Sequence, residues 1–269
     1  LKLGGFFMSK PRVGAQLYTI RQFTKTPEDI AASMKKIKEI GYNAVQVSGF
    51  GPVDPHKVKE IMDECGLIIS ATHIGYDKLK NDLKGVIDQH KLWNCKYVGL
   101  GAMPREYAQS AEGFVKFAKE ASEIARVLAD NGLRFIYHNH NFEFMKFDGV
   151  IGMDILLNET DPEVFDFEID TYWVQAGGGN PVDWVKKVNG RMKVVHFKDM
   201  GVVRNKEQMM PQQMMTEIGE GNLNWPAIID ACVEIGVEWA MVEQDICQRD
   251  PFESLAISLN NLKKLGLNP

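Results

Sequence analysis

Eight short runs of apolar and β-branched residues recur along this chain, at 13–19, 44–48, 68–73, 97–100, 134–138, 164–169, 193–197 and 239–243. Each is followed by polar or glycine-rich residues and then by a stretch of helical periodicity. The helix ends are legible. Thr26 caps a first turn of Pro27-Glu28-Asp29, after which Ile30, Met34, Ile37 and Ile40 space at helical intervals until Gly41 stops them. Pro55 opens a helix that Gly66 closes, Ser110 opens a long one ending at Asn131-Gly132, and Pro181, Pro226 and Pro251 open three more. The strand runs are almost continuously apolar, as a parallel sheet covered by helices requires. Eight β-α units without a linker predict an α/β chain folded as one (β/α)8 TIM barrel, for which 269 residues is an ordinary length. Two doubly wound halves would need a flexible linker and a glycine-rich loop after the first strand, and neither is present. We place the barrel at 13–269 and read 1–12 as an N-terminal tail, since residues 1–7 carry neither a long apolar stretch nor a cleavage site and precede a start at Met8.

A formal net charge of -5, with no basic block, gives no attraction for nucleic acid or an anionic membrane, and no run approaches the length of a membrane span. The 4 cysteines lie far apart without a C-x-x-C pair, which fits a reducing cytoplasm. The expected partner is therefore a small molecule.

A barrel of this kind assembles its site from residues just past the carboxyl ends of its strands. Here those ends carry Gln16, His73, His138, His140, Glu143, Glu168, Asp170, His196, Lys198, Glu243 and Asp245, including four of the 6 histidines. Glu143, Asp170, His196 and Glu243 form a hard, oxygen-dominated set with one imidazole, suited to one divalent metal: Mn2+ first, with Mg2+, Co2+ or Zn2+ as alternatives. The competing reading is a metal-free sugar-binding barrel whose mouth carboxylates are paired with Lys or Arg. His73 and His138 are expected as mouth residues that hydrogen-bond a sugar, and Lys198, charge-paired beside Asp199, as a substrate-orienting cation. Gly177-Gly178-Gly179 reads as a flexible loop at the mouth, and the methionines 209, 210, 214 and 215 as a mobile loop over the mouth or a neighbouring subunit. His56 and His90 receive no role.

The segments His140-Asn141-Phe142-Glu143, Glu168-Ile169-Asp170-Thr171, Val195-His196-Phe197-Lys198-Asp199, Glu217-Ile218-Gly219-Glu220-Gly221 and Val242-Glu243-Gln244 together resemble the xylose isomerase-like barrel family of sugar phosphate isomerases and epimerases. The resemblance implies a divalent metal on Glu143, Asp170, His196 and Glu243. It also implies proton abstraction next to a carbonyl held by that metal, through an enediolate, with Glu143 and Glu243 moving protons on opposite faces. His140 is the further candidate acid or base, and Gln16, His73, His138, Trp173, Lys198 and Glu220 are the candidate substrate contacts. Many relatives place a histidine three residues after the aspartate, whereas this chain has Trp173, an aromatic platform for a pyranose ring or aglycone. The His-Asn-His-x-x-Glu stretch is more similar to the branch that processes 3-oxo-glycosides. The expected activity is thus a sugar isomerase or epimerase, with a lyase or hydrolase cleaving 3-oxo-glycosides by β-elimination as the alternative and a homo-oligomer as the expected assembly. A DNA-cleaving relative on the same barrel would require more histidines and a basic face.

Overall fold

The computed structural model describes residues 9–204 and 209–269, so most of the expected tail, 1–8, lies outside the described residues. Eight parallel strands form the sheet: β1 (Arg12–Gln16), β2 (Ala44–Val47), β3 (Ile68–His73), β4 (Tyr97–Leu100), β5 (Arg134–His138), β6 (Phe165–Glu168), β7 (Val194–Phe197) and β8 (Trp239–Val242). Their order, β6-β5-β4-β3-β2-β1-β8-β7, is that of a barrel cut between β6 and β7. That seam is closed by a parallel bridge between Asp170 and His196, with the His196 N–H donating to the Ile169 carbonyl at 2.9 Å. The chain is a single-domain (β/α)8 barrel.

The helices form where their caps predict. Thr26 and Asp29 make a reciprocal capping box at the start of α1 (Pro27–Ile40), and Gly41 ends it in the left-handed region at φ 115°. Ser110 caps a 20-residue helix, Ala111–Asp130, whose Phe114, Phe117, Ala121, Ala125 and Leu128 all face the sheet fully buried. Each such phenylalanine contributes about 1.5–3 kcal/mol of burial. A smaller cluster fills the barrel interior, with Ala44, Ala71, Tyr97, Ile136, Val194, Trp239 and Met241 in contact. Residues buried on both faces are why the strands read as unbroken apolar runs. Among the described residues, no helix is long and apolar enough to cross a membrane.

Three expectations are corrected. The first strand ends at Gln16 rather than at 19, because the Gln16 side chain accepts the Tyr18 N–H at 2.7 Å and turns the chain into a 3-10 segment, Leu17–Phe23. The methionine-rich stretch is half of an antiparallel hairpin rather than a loop, Asp199–Val203 paired with Gln212–Thr216, in which Met209 and Met210 are exposed while Met215 is buried at the barrel mouth, where the stretch was expected to pack. Gly177-Gly178-Gly179 is a tight helix-ending turn: a Cβ at Gly177 would lie 2.5 Å from the Phe144 ring.

Candidate functional site

Every barrel strand ends at the same mouth, where a cavity of about 520 Å3 is lined by His73, His138, His140, Trp173, Glu243 and Asp245 among others. Beneath it, His138, Asp170, His196 and Glu243, all buried, each place a ligand-type atom within 4.8 Å of the others. They come from the ends of β5, β6, β7 and β8.

The orientation of the two imidazoles is set from outside. His138 Nδ1 lies 2.9 Å from the Gly101 carbonyl, which can only accept, so Nδ1 carries the proton and the Nε2 lone pair faces Asp170 Oδ2 at 3.1 Å. His196 Nε2 lies 2.8 Å from Gln46 Oε1, while the Gln46 amide nitrogen donates to Glu168 at 2.8 Å. His196 Nε2 therefore donates, and its Nδ1 lone pair faces Glu243 Oε2 at 3.0 Å. Two ring lone pairs thus meet two carboxylate oxygens, an arrangement relieved by a second proton on each ring or by one shared cation. Outer hydrogen bonds that fix the tautomer of a ligating histidine are a recurring part of metal sites. The donor set of two oxygens and two imidazole nitrogens fits a divalent ion.

Lys198, fully buried, already stands beside this group, with Nζ 3.0 Å from Asp170 Oδ2 and 2.8 Å from both Glu243 Oε2 and Asp245 Oδ2. Burial alone would lower its ammonium, but these carboxylates outweigh it and hold Lys198 above its ordinary value. Burial likewise favours neutral Asp170 and Glu243, yet the Lys198 charge, joined by His138 for Asp170 and His196 for Glu243, holds both well below the usual carboxylate range. Burial would depress His196, and Glu168 and Glu243 together override it and raise it. The carboxylates hold an excess of negative charge that draws protons or cations inward.

Glu143, expected as the fourth ligand, is placed elsewhere. Its Oε1 accepts from the Tyr137 hydroxyl at 2.7 Å and its Oε2 from the His140 N–H at 2.9 Å, and it does not line the cavity. Burial pushes its carboxyl up to about 7 against those hydrogen bonds. His138 takes the place in the donor group that Glu143 was expected to hold. His140 packs against Trp173, with ring centroids 5.2 Å apart, and both His140 Nδ1 and Trp173 Nε1 are buried without a hydrogen-bond partner. Burial, with His138 and Lys198 nearby, lowers the His140 imidazole to about 3, so at neutral pH it is unprotonated.

Gln16 lies outside the cavity lining and reaches His73 Nδ1 at 3.3 Å, while His73 Nε2 meets Glu168 at 2.7 Å. Gly99 makes room for this ring, since a Cβ there would lie 2.2 Å from the Thr72 carbonyl and 2.8 Å from the His73 ring. Lys198 is not paired with Asp199. Successive strand residues point to opposite faces, and Asp199 instead accepts the N–H groups of Gly219, Gly221 and Leu223 and the Trp225 indole, pinning the hairpin to the barrel. Glu220, expected near substrate, is exposed, bonds Asn261 and does not line the cavity. Sequence reasoning gave no role to Glu168, Gln46 or Asp245; their positions at strand ends were the signal available.

Residues 34–265 match the family described as xylose isomerase-like TIM barrel. The chain is 26% identical over 160 residues to an inosose dehydratase of Lacticaseibacillus casei, a match covering 55% of this chain and 51% of that protein, so the chain spans about half the length of such relatives. It is 24% identical over 258 residues to the inosose dehydratase of Geobacillus kaustophilus, covering 81% and 80%. In structure it is similar to a sugar phosphate isomerase/epimerase from Parabacteroides distasonis, with a TM-score of 0.76 and 22% identity over 95% of this chain and 94% of that one.

Proposed function

The chain belongs to the xylose isomerase-like TIM barrel family, and on that premise we propose that it is a divalent-metal-dependent carbohydrate lyase acting on a non-phosphorylated 3-oxo-glycoside or related oxo-sugar. The observation that carries this reading is the convergence of one ring nitrogen each of His138 and His196 with the Asp170 and Glu243 oxygens, all four within 4.8 Å of one another. When bound, an ion there, Mn2+ first among the candidates, polarises a sugar carbonyl and acidifies the neighbouring C–H bond.

His138, Asp170, His196 and Glu243 would hold the ion, and Lys198, buried off the cavity lining with its ammonium on Asp170, Glu243 and Asp245, would hold those carboxylates in place. His140, which lines the cavity and is uncharged at neutral pH, takes the proton from the carbon beside the carbonyl; the C–H electron pair becomes the new double bond as the β C–O bond breaks. The same imidazole returns its proton to the leaving oxygen, which departs as an alcohol or as water. Trp173 flanks His140 and supplies an aromatic wall for the ring. Arg21, the cavity's arginine, is engaged by the Tyr18 and Asp245 carbonyls, which leaves it poorly placed for a phosphate and supports a neutral sugar.

Isomerisation or epimerisation shares the first proton transfer and is the second reading, supported by Glu243 lining the cavity. Elimination is favoured over it because Glu143, needed as the partner base on the opposite face, has both oxygens engaged. The test is metal analysis of the purified chain, followed by reaction of methyl 3-oxo-glycosides in heavy water. About one metal per chain with release of methanol supports the lyase. Deuterium incorporation into intact sugar without release assigns the epimerase reading, and absence of metal after reconstitution rejects both.

A further inference from the structure

A second chamber of about 280 Å3, between the loops that follow β2 and β3, adjoins the cavity at the barrel mouth and shares Ser48, His73, Ile74 and Gly75 with it. Phe50, Val53, Val58 and Trp93 wall this chamber, Lys78 and Gln89 stand on its lining, and none of these six lines the first chamber.

The second chamber is a built feature. Trp93 is buried and its indole N–H donates to the Pro55 carbonyl at 2.9 Å, which fixes the ring. The loop opposite is anchored by the Gly51 N–H to the Thr24 carbonyl at 2.9 Å and by the Lys25 ammonium to the Gly49 carbonyl at 2.8 Å. Gly51 is pressed so closely on the Lys25 carbonyl that a Cβ would lie 2.1 Å from it. The lining combines an aromatic and aliphatic wall with the Lys78 ammonium and the Gln89 amide, themselves 3.3 Å apart. A sugar ring has matching parts, a face of C–H bonds and a rim of hydroxyls. The first chamber alone is of the size that encloses a whole small ligand, so a free monosaccharide would leave the second one unused.

We infer that the second chamber binds the leaving-group half of the substrate as a second sugar ring, making the substrate a disaccharide or longer saccharide. The direction of this assignment rests on the lyase reading: the ring in the first chamber loses the proton, and the ring in the second departs as the alcohol when the C–O bond between them breaks, carrying that proton away. Ser48 lines both chambers.

Binding tests this independently of turnover. Calorimetric titration of the full chain with cellobiose and with methyl β-glucoside, neither of which carries the reactive carbonyl, should give at least about tenfold tighter binding of the disaccharide. Phe50→Ala and, separately, Gln89→Ala should each remove most of that ratio while leaving the methyl glycoside unchanged. Gln89→Ala keeps the test open if Phe50→Ala fails to fold. Equal affinities, no binding of either sugar, or variants that weaken both sugars alike overturn the inference. If the affinity ratio holds but 3-oxo-glycosides are not cleaved, the second-ring site stands and the lyase reading falls.

Discussion

Asp170 and His196 are paired across the seam that closes the barrel, and their side chains meet on the inner side of that same bridge, His196 Nδ1 3.8 Å from Asp170 Oδ2. Backbone closure and site assembly are therefore one event at this point. Asp170 is also a helix cap, its Oδ1 accepting the Trp173 N–H at 2.9 Å, so a single residue ties the donor group to the aromatic wall of the cavity.

This double duty can be separated by substitution. Asp170→Asn keeps an oxygen for the Trp173 N–H and leaves the bridge intact, but removes the charge facing Lys198 and the ion. The expected result is a thermal midpoint within a few degrees of the parent, with Mn2+ affinity lowered by about 100-fold or more, beyond the loss that outer partners of a metal site usually cause. Calorimetry and thermal melts on the same samples check it; a collapse of the fold with metal affinity preserved would reverse the assignment.

His138 and Glu143 make opposite predictions. His138→Ala should abolish stoichiometric metal, because its Nε2 is one of the four converging atoms. Glu143→Gln should retain metal yet lose about 1–3 kcal/mol of stability, since an amide accepts at one end only and cannot serve both the His140 N–H and the Tyr137 hydroxyl as the carboxylate does, inside a fully buried pocket. Elemental analysis beside denaturant unfolding reads both. Loss of metal from Glu143→Gln with His138→Ala unaffected would show that the loop after β5 rearranges to deliver the glutamate.

For His140 the expectation is a split between binding and turnover. His140→Ala removes the unpartnered ring nitrogen but none of the converging donors, so metal content should be unchanged while C–H exchange in heavy water slows by about 10²- to 10⁴-fold, the usual worth of a positioned base. An unchanged exchange rate would remove His140 from the chemistry.

How far the sequence carried these conclusions depends on whether a feature is local. The strand runs and helix caps are local, which is why Thr26, Ser110 and Pro251 mark real helix starts and why runs buried on both faces stand out. Asp170, His196 and Glu243 could be collected because a barrel brings all strand ends to one mouth. Which atoms then meet is not local. Glu143 is drawn away by Tyr137, whose ring is packed outside the barrel against Phe117 and Phe165, and no spacing rule exposes that competition. The Lys198 partners lie just past the ends of β8 and β6, so its neighbour Asp199 misdirected the pairing.

His90 gives a prediction about stability rather than catalysis. It is fully buried in the helix Leu83–Leu92, with Nε2 2.7 Å from the Thr72 hydroxyl and Nδ1 2.7 Å from the Val86 carbonyl. Burial lowers its imidazole from 6.5 to about 4. Between those values the unfolded chain holds the extra proton and the folded chain does not, so stability falls as pH drops from 6.5 toward 4 and the loss is complete below 4. At about 1.4 kcal/mol per unit of separation the loss is about 3 kcal/mol. Carboxylates also titrate in this range, so the quantity to measure is the difference between parent and His90→Gln, by denaturant unfolding at pH 7 and pH 4.5. The parent should lose more stability than the variant across that interval. Parallel losses would mean that His90 is charged in the folded state, and that the Thr72–His90 contact under the cavity wall is an ion-stabilised link rather than a neutral one.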